Sequence, residues 1–195
     1  MPLTPVPPQM VATVVTSLEM RERPRPRAAP PAPFRLNRWK EPAADKYRAL
    51  FRRIGEPWLW FSRLAMSEAD LLVVIHDPRI EIYAVEDRRG IEIGLLELDF
   101  RQAGETEIGF IGFVPELAGK RHGGWLMAQA LSLGWRRDTA RMWVHTCTLD
   151  HPGALNFYRR HGFVPFERAV ETFADPRLAG LLPREAAPHI PLLGD

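Results

Sequence analysis

The stretch from residue 106 to residue 124, TEIGFIGFVPELAGKRHGG, constrains the fold of this chain more than any other part of the sequence. Its first half is typical of a β-strand, Pro115 ends that strand, and a turn containing three glycines leads into an apolar helical repeat. A turn at the start of a helix presents outward-pointing backbone N–H groups, and the helix macrodipole favours negative charge at that end. The stretch therefore predicts an anion-binding turn between a strand and a helix.

The composition is that of an ordinary globular protein. Of 195 residues, 46% are hydrophobic and 26% are charged, which is enough for one domain with a proper core. The net charge of +2 does not indicate a nucleic-acid partner, because such partners usually need a clustered basic surface. No apolar run approaches the ~18 residues that span a membrane, and no signal peptide opens the chain. A single cysteine, Cys147, excludes an internal disulfide, so we expect a cytoplasmic protein without membrane or nucleic-acid partners.

Proline-rich segments divide the chain. Residues 1–9 are expected to be a disordered N-terminus, and residues 174–195 a proline-containing tail that wraps the surface. Residues 21–33 are too dense in proline for a helix or a central strand, so they predict an extended connector. The arginines of this connector could touch an acidic partner, although we favour a solvated linker. Residues 10–173, with the connector included, are predicted to form a single domain.

Hydrophobic periodicity predicts a mixed α/β protein. Strands are expected over 10–20, 80–86, 91–100, 106–114, 142–149 and 163–173. Helices are expected over 43–54, 67–76, 124–137 and 154–162. Short turns between the middle three strands imply that they are antiparallel. The strand over 142–149 follows a strand–helix crossover, so it should lie parallel to the strand over 106–114.

Carboxylates occur on two neighbouring strands. Glu97 and Asp99 have the same parity and extend one face of their strand. On the next strand, Glu107 is predicted to share a face with Gly109, Ile111 and Phe113. These carboxylates should lie near each other, where they could attract a cationic group or simply remain solvated.

The loop PWLWFSR, residues 57–63, is unusually aromatic. Trp58 and Trp60 could pack in the core between helices. Alternatively, they could line a binding pocket, because such pockets are mostly apolar with a few polar groups.

Two motifs in the second half of the chain point to a known family. The pattern A-x-x-x-Y-x-x-x-G-F is matched by Ala154, Tyr158, Gly162 and Phe163, and it follows the strand, the VPEL-x-G-K turn, a helix and a second strand. Over about residues 81–173 the chain resembles the GCN5-related N-acetyltransferase (GNAT) superfamily. The resemblance implies an α/β (α+β) fold with a mixed, splayed β-sheet flanked by helices.

The glycine turn departs from the pattern of that family. The family usually has Gln or Arg, then Gly, then Gly or Ala at positions that fall here on Ala118, Arg121 and Gly123, so only Gly123 fits. The remaining glycines keep the turn permissive, and a guanidinium can pair with phosphate bidentately. The resemblance therefore implies that the turn holds the pyrophosphate of acetyl-CoA, through Ala118, Gly119, Lys120, Arg121, His122, Gly123 and Gly124.

The resemblance also implies a reaction, in which acetyl-CoA acetylates an amine of a small molecule or peptide by direct transfer in a ternary complex. The backbone of Phe113 and Val114 would hold the pantetheine arm, as a peptide adds to a strand edge. Tyr158 would protonate the departing thiolate, and Glu107 would be the general base. Trp58, Trp60, Glu97 and Asp99 are the candidate acceptor-binding residues, through aromatic packing, cation–π contact and charge.

For several other residues the sequence supports only weaker predictions. His151 and Asn156 could contact the coenzyme. His145 lies in mid-strand, which favours a hydrogen-bonded core histidine, and Cys147 is interpreted as inert packing. No Cys/His cluster has metal-ligand spacing, so no metal is expected. A non-catalytic acyl-CoA-binding or protein-interaction module on the same fold remains the alternative, and we expect a monomer or homodimer.

Overall fold

The computed structural model describes residues 3–25, 29–120 and 122–194. Parts of the predicted N-terminus, connector and tail, and the predicted coenzyme contact Arg121, lie outside this description. The strands are β1 (Met10–Met20), β2 (Arg35–Trp39), β3 (Ile80–Glu86), β4 (Glu92–Asp99), β5 (Glu105–Phe113), β6 (Arg141–Cys147) and β7 (Val164–Ala174). The α-helices are α1 (Ala44–Gly55), α2 (Ser62–Ala65), α3 (Glu68–Ile75), α4 (Gly123–Gly134) and α5 (Ala154–Arg160).

The seven strands form one mixed sheet in the order β2-β3-β4-β5-β6-β1-β7. The predicted antiparallel meander of β3, β4 and β5 is confirmed, and β6 runs parallel to β5 as expected from the crossover. The first strand of the chain, β1, inserts between β6 and β7 and is antiparallel to both. This placement and the short strand β2 were not predicted.

The parallel strands β5 and β6 separate soon after they begin. Their ladder pairs Glu105 with Arg141, Thr106 with Met142 and Glu107 with Trp143. On its other edge, β5 stays paired with β4 as far as Phe113. A gap therefore opens between the carboxyl-terminal halves of β5 and β6, which confirms the splayed sheet.

A bulge at Gly109 corrects the predicted face of β5. Glu97 pairs with Phe110 and Leu98 pairs with Ile108, so β5 carries one extra residue at this point. A bulge of this kind reverses the alternation of side chains beyond it. Glu107 consequently shares a face with Phe110 and not, as predicted, with Ile111 and Phe113. Asp99 lies directly opposite Glu107, so the expected proximity of the carboxylates is confirmed.

Helices cover both faces of the sheet. The buried stripe of α1, which contains Tyr47 and Phe51, packs against one face of β4. Helix α4 packs against the opposite face of β4 and β5, with Leu126 and Met127 buried. We call these two sides the α1 face and the α4 face. No helix within the described residues is both long and apolar enough to cross a membrane.

Part of the segment after β7 packs into the core of the domain. Leu182 is buried in the main hydrophobic cluster. Arg177, also buried, forms an ion pair of 2.7 Å with Asp175 and donates hydrogen bonds to the carbonyls of Ala186 and Ile190. These bonds fold the proline-containing segment back onto itself, so the packed domain extends beyond residue 173.

Candidate active site

A cavity of about 850 Å³ passes through the gap between β5 and β6. Side chains alternate along strands, so the pairing of Glu107 with Trp143 places Glu107 and His145 on the α1 face. The same alternation places Ile108 and Val144 on the α4 face. Of these five residues, all except Trp143 line the cavity, which is therefore open to both sides of the sheet.

The glycine turn forms the α4-face end of the cavity. Gly119 has a φ of +74°, in the left-handed region that favours glycine. A Cβ added to Gly123 would lie 3.0 Å from the Phe157 ring, whereas one added to Gly124 would have Pro30 as its nearest neighbour, at 3.9 Å. The turn is thus packed tightly against α5 at its first helical residue and has room at the second. The backbone N–H groups of Gly123 and Gly124, the first two residues of α4, have no acceptor within the helix, as anion binding requires.

Five of the predicted coenzyme contacts of the turn line the cavity. They are Ala118, Gly119, His122, Gly123 and Gly124. Lys120 is exposed beside the turn.

The edge of β5 offers backbone hydrogen bonds to the gap. Val114 is already engaged, because its N–H donates to the carbonyl of Ile93 and its carbonyl accepts from the N–H of Leu117, both at 2.9 Å. Successive backbone amides of a strand point to opposite edges, so those of Ile111 and Phe113 face the gap. The expectation for the pantetheine arm is therefore kept for Phe113 and withdrawn for Val114.

Tyr158 approaches the gap from α5 on the α4 face. Its ring is buried and packs edge-on to Phe157 and Phe163, with centroid distances of 5.5 and 6.1 Å. Burial, with the nearby charge of Asp150, raises the pKa of Tyr158 well above its ordinary value. The phenol is thus held protonated at neutral pH, the state in which it can act as an acid.

Asp150, in the loop between β6 and α5, is a cavity residue that the sequence interpretation missed. Its carboxylate accepts hydrogen bonds from the Trp60 indole at 3.2 Å, the Thr146 hydroxyl at 2.7 Å and the Cys147 N–H at 3.0 Å. These bonds join the aromatic loop to the loop that precedes α5. The signal available in the sequence was its position just before the HPGALNFYRRHGF motif.

His145 lies on the α1 face, where its Nδ1 is 3.5 Å from Oε1 of Glu107. The side chain of His145 is 49% exposed, so the interpretation as a core histidine is wrong. At this point β5 has already diverged from β6, which leaves the ring open to the cavity. The contact with Glu107 raises the pKa of His145, while burial opposes that effect.

Two of the predicted acceptor-binding carboxylates have their charges compensated. Glu97 is 1% exposed and accepts hydrogen bonds of 2.6 Å from the Tyr47 hydroxyl and from the Arg63 guanidinium. Burial and the charge of Glu97 raise the pKa of Tyr47 well above its ordinary value. Asp99 pairs with Arg101 at 2.6 Å. Both carboxylates line the cavity, and the arginine paired with each of them lines it as well.

The two predicted tryptophans both line the cavity. The Trp60 ring packs against Phe51 and Phe110, with centroids 5.5 and 5.2 Å apart. The Trp58 ring packs edge-on against His151, with centroids 5.4 Å apart. The aromatic loop therefore supplies both core packing and one wall of the cavity.

Of the two weaker coenzyme candidates, only His151 lies at the cavity. His151 is exposed, and its Nδ1 accepts a hydrogen bond of 3.0 Å from the N–H of Gly153. Asn156 lies on the outer side of α5 and lines a separate depression with Arg159 and Pro165. Across residues 3–25, 29–120 and 122–194, no group of three or more His, Cys, Asp or Glu residues could hold a metal ion.

Comparison with known proteins identifies the family. A sequence model described as the acetyltransferase (GNAT) family matches residues 35–163. The chain belongs to the GNAT family. The match covers the splayed strands, the glycine turn and Tyr158, so the family resemblance noted in the sequence is confirmed. No curated protein matches the sequence.

Solved structures share this fold at low sequence identity. A GCN5-related N-acetyltransferase from Sphaerobacter thermophilus is 14% identical with a TM-score of 0.60, over 84% of this chain and 52% of that chain. A tandem GNAT protein from the clavulanic acid biosynthesis pathway is 17% identical with a TM-score of 0.58, over 84% and 53%. The spermidine N-acetyltransferase of Vibrio cholerae is 20% identical with a TM-score of 0.54, over 75% and 96%. The chain thus spans about half the length of the first two of these proteins.

Proposed function

We propose that this protein transfers the acetyl group of acetyl-CoA to a primary amine by direct transfer in a ternary complex. The observation that carries the proposal is the cavity through the gap between β5 and β6, with Tyr158 on the α4 face and the neighbouring Glu107 and His145 on the α1 face. Acetylation of an ammonium needs a base on the side of the amine and an acid on the side of the departing thiolate. The two faces of the gap offer these groups from opposite sides.

The α4 face fits the coenzyme. The first-turn N–H groups of α4, at Gly123 and Gly124, would hold the pyrophosphate, and the edge amides of Ile111 and Phe113 would hold the pantetheine arm. Acetyl-CoA supplies a thioester whose carbonyl carbon is the acetylating centre. Tyr158 would give its proton to the sulfur, and its phenol is protonated at neutral pH because burial and the charge of Asp150 raise its pKa further above the ordinary value.

The α1 face fits a cationic acceptor with an apolar part. Trp58, Trp60 and Phe110 form an aromatic wall of the cavity, and Glu107 and Glu171 add carboxylates on its α1-face side. An ammonium is attracted to both kinds of group. The spermidine N-acetyltransferase that shares the fold acts on an amine of this chemical class. We therefore propose a small-molecule or peptide amine as the acceptor.

Calorimetry with acetyl-CoA and CoA is the first test of this proposal. We expect binding of both at sub-millimolar concentration, followed by thiol release when a panel of amines is added. Failure to bind either compound would contradict the proposal. Binding without thiol release across polyamines, amino acids, aromatic amines and peptides would favour a non-catalytic acyl-CoA-binding module instead.

A further inference from the structure

The imidazole of His145 lies beside the carboxylate predicted to be the base. Its Nδ1 is 3.5 Å from Oε1 of Glu107, and about half of the side chain is exposed. This contact engages one ring nitrogen and leaves Nε2 for a second partner. The Glu107 side chain is less accessible, at 23% exposed, so an acceptor in the cavity meets the imidazole more readily than the carboxylate.

The position of His145 relative to the strand ladder supports a chemical role. The β5–β6 ladder ends at the pair Glu107–Trp143, and His145 follows two residues later on the same face. His145 therefore lies just inside the gap, where the α1-face and α4-face halves of the cavity meet. Its contact with Glu107 bridges the two diverging strands.

The charged groups around His145 come from three elements. Glu107 on β5, Asp150 in the loop before α5 and Glu171 on β7 all raise the pKa of His145, with Glu107 the largest contributor. An imidazole normally titrates at a pKa of about 6.5. A base is most effective when its pKa is close to the working pH, and an imidazole meets that condition better than a solvated carboxylate does.

We propose that His145 is the catalytic residue that takes the ammonium proton of the acceptor, and that Glu107 positions its ring by accepting the Nδ1–H. The inference rests on the proposed acetyl transfer. Nε2 of the neutral imidazole takes one proton from the ammonium, and the resulting imidazolium releases it to solvent. The amine nitrogen bonds to the thioester carbon and loses a second proton as the carbon–sulfur bond breaks. That proton replaces the one that Tyr158 gives to the sulfur.

An NMR titration of the imidazole tests the pairing without any substrate. We expect the Nδ1–H tautomer at high pH and a pKa above 6.5 in the wild-type protein. Glu107→Gln should lower this pKa clearly. Glu171→Gln, which removes a carboxylate that faces the ring without bonding to it, should lower it less. The Nε2–H tautomer, or equal effects of the two substitutions, would overturn the proposal.

Kinetics with an amine found in the acceptor screen test the catalytic role. His145→Ala should reduce kcat by about 100-fold or more, in the range expected for a lost general base, and added imidazole should restore part of it. In the wild-type protein, kcat/KM should rise with pH through the pKa measured by NMR, because the base must be deprotonated. Glu107→Gln should move this rise of kcat/KM to lower pH. If the contact between Glu107 and His145 merely tied β5 to β6, the substitution would change the stability of the fold without moving the rise.

The controls separate this proposal from the proposed function. His76→Gln changes a histidine that does not line the cavity and whose Nε2 contacts the carbonyl of Pro42, and it should leave kcat unchanged. Acetyl-CoA binding should be the same in the wild-type protein and in His145→Ala. If the wild-type protein neither binds acetyl-CoA nor acetylates any amine, the proposed function fails. If it does both, and His145→Ala retains full kcat, only the role of His145 fails.

Discussion

The two faces of the gap between β5 and β6 are formed by different kinds of residue. On the α4 face, the wall is a glycine turn packed on Phe157, and the buried Tyr158 is the proposed acid. On the α1 face, three carboxylates each lie beside a basic partner: Glu97 beside Arg63, Asp99 beside Arg101 and Glu107 beside His145.

The difference follows from what each face is proposed to bind. Backbone N–H groups can hold a phosphate without any charged side chain, so that face needs glycine and close packing. A cationic amine requires carboxylates, and buried carboxylates are stable only when they are paired and hydrogen-bonded. The four substitutions below test this contrast, from the largest expected effect to the smallest.

Arg63→Met tests whether paired charge holds the α1 face together. It would leave Glu97, which is 1% exposed, with only the Tyr47 hydroxyl as a strong partner. Breaking a buried pair typically costs about 3–5 kcal/mol in the free energy of unfolding, which urea denaturation measures. The matched control is Arg101→Met, which removes a pair whose arginine is 44% exposed and should cost less than about 1 kcal/mol. Equal losses would show that burial does not distinguish the two pairs.

Tyr158→Phe tests the acid on the α4 face. We expect kcat to fall by about 100-fold, equivalent to about 2.7 kcal/mol, while calorimetry shows unchanged acetyl-CoA binding. The control is Tyr83→Phe on β3, whose hydroxyl donates to Glu81 at 2.7 Å. Burial and this bond raise the pKa of Tyr83 to about 12, so it is also a buried, protonated phenol, but it does not line the cavity. Unchanged turnover in Tyr158→Phe would remove it from the acid role.

Substitutions of the paired glycines test how tightly the turn is packed. Gly123→Ala places a Cβ 3.0 Å from the Phe157 ring. We expect it to lower the free energy of unfolding, measured by urea denaturation, by about 1 kcal/mol and to weaken acetyl-CoA binding. Gly124→Ala meets its nearest neighbour at 3.9 Å and should be neutral, or stabilising by up to about 1 kcal/mol through helix propensity. If Gly124→Ala lowered the free energy of unfolding more than Gly123→Ala does, the assignment of the packed and open positions would be reversed.

Trp60→Phe tests the connection between the two faces. The substitution removes the indole N–H that donates to Asp150 and keeps most of the aromatic packing. Loss of one such bond should lower the free energy of unfolding by about 1 kcal/mol in urea denaturation. Trp58→Phe, which keeps an aromatic ring against His151, should have a smaller effect. The reverse order would show that the Asp150 bond does not join the loops.

Local signals in the sequence predicted most of the elements. β1 and β3 have the predicted bounds, because their apolar patterns end at prolines, charges or turn residues. Ser67 caps α3 by accepting the N–H of Asp70, as a serine before an apolar helix predicts. The helix–strand order around the glycine turn and the Tyr158 motif together identified the family.

The missed elements depend on contacts that are distant in sequence. β2 has five residues and is a strand because β3 pairs with it. β1 lies between β6 and β7, whose residues come more than a hundred positions later. The bulge at Gly109 reflects the register between β4 and β5, and a single residue of slip exchanges the faces of the strand. Pairing between strands distant in the chain, and the register of a bulged pair, have no signature in a local window of residues.

The sequence alone determined the secondary structure around the gap, the fold family and the types of side chain available for the proposed reaction. The tertiary structure decided which of those groups are available. Glu97 is compensated by Tyr47, 50 residues away, and by Arg63, 34 residues away, whereas His145 opens to the cavity because two strands diverge. The physical reason is that a side chain's charge state and accessibility depend on its neighbours in space. Those neighbours are set by long-range packing, while helices, strands and turns follow from residues close in the chain.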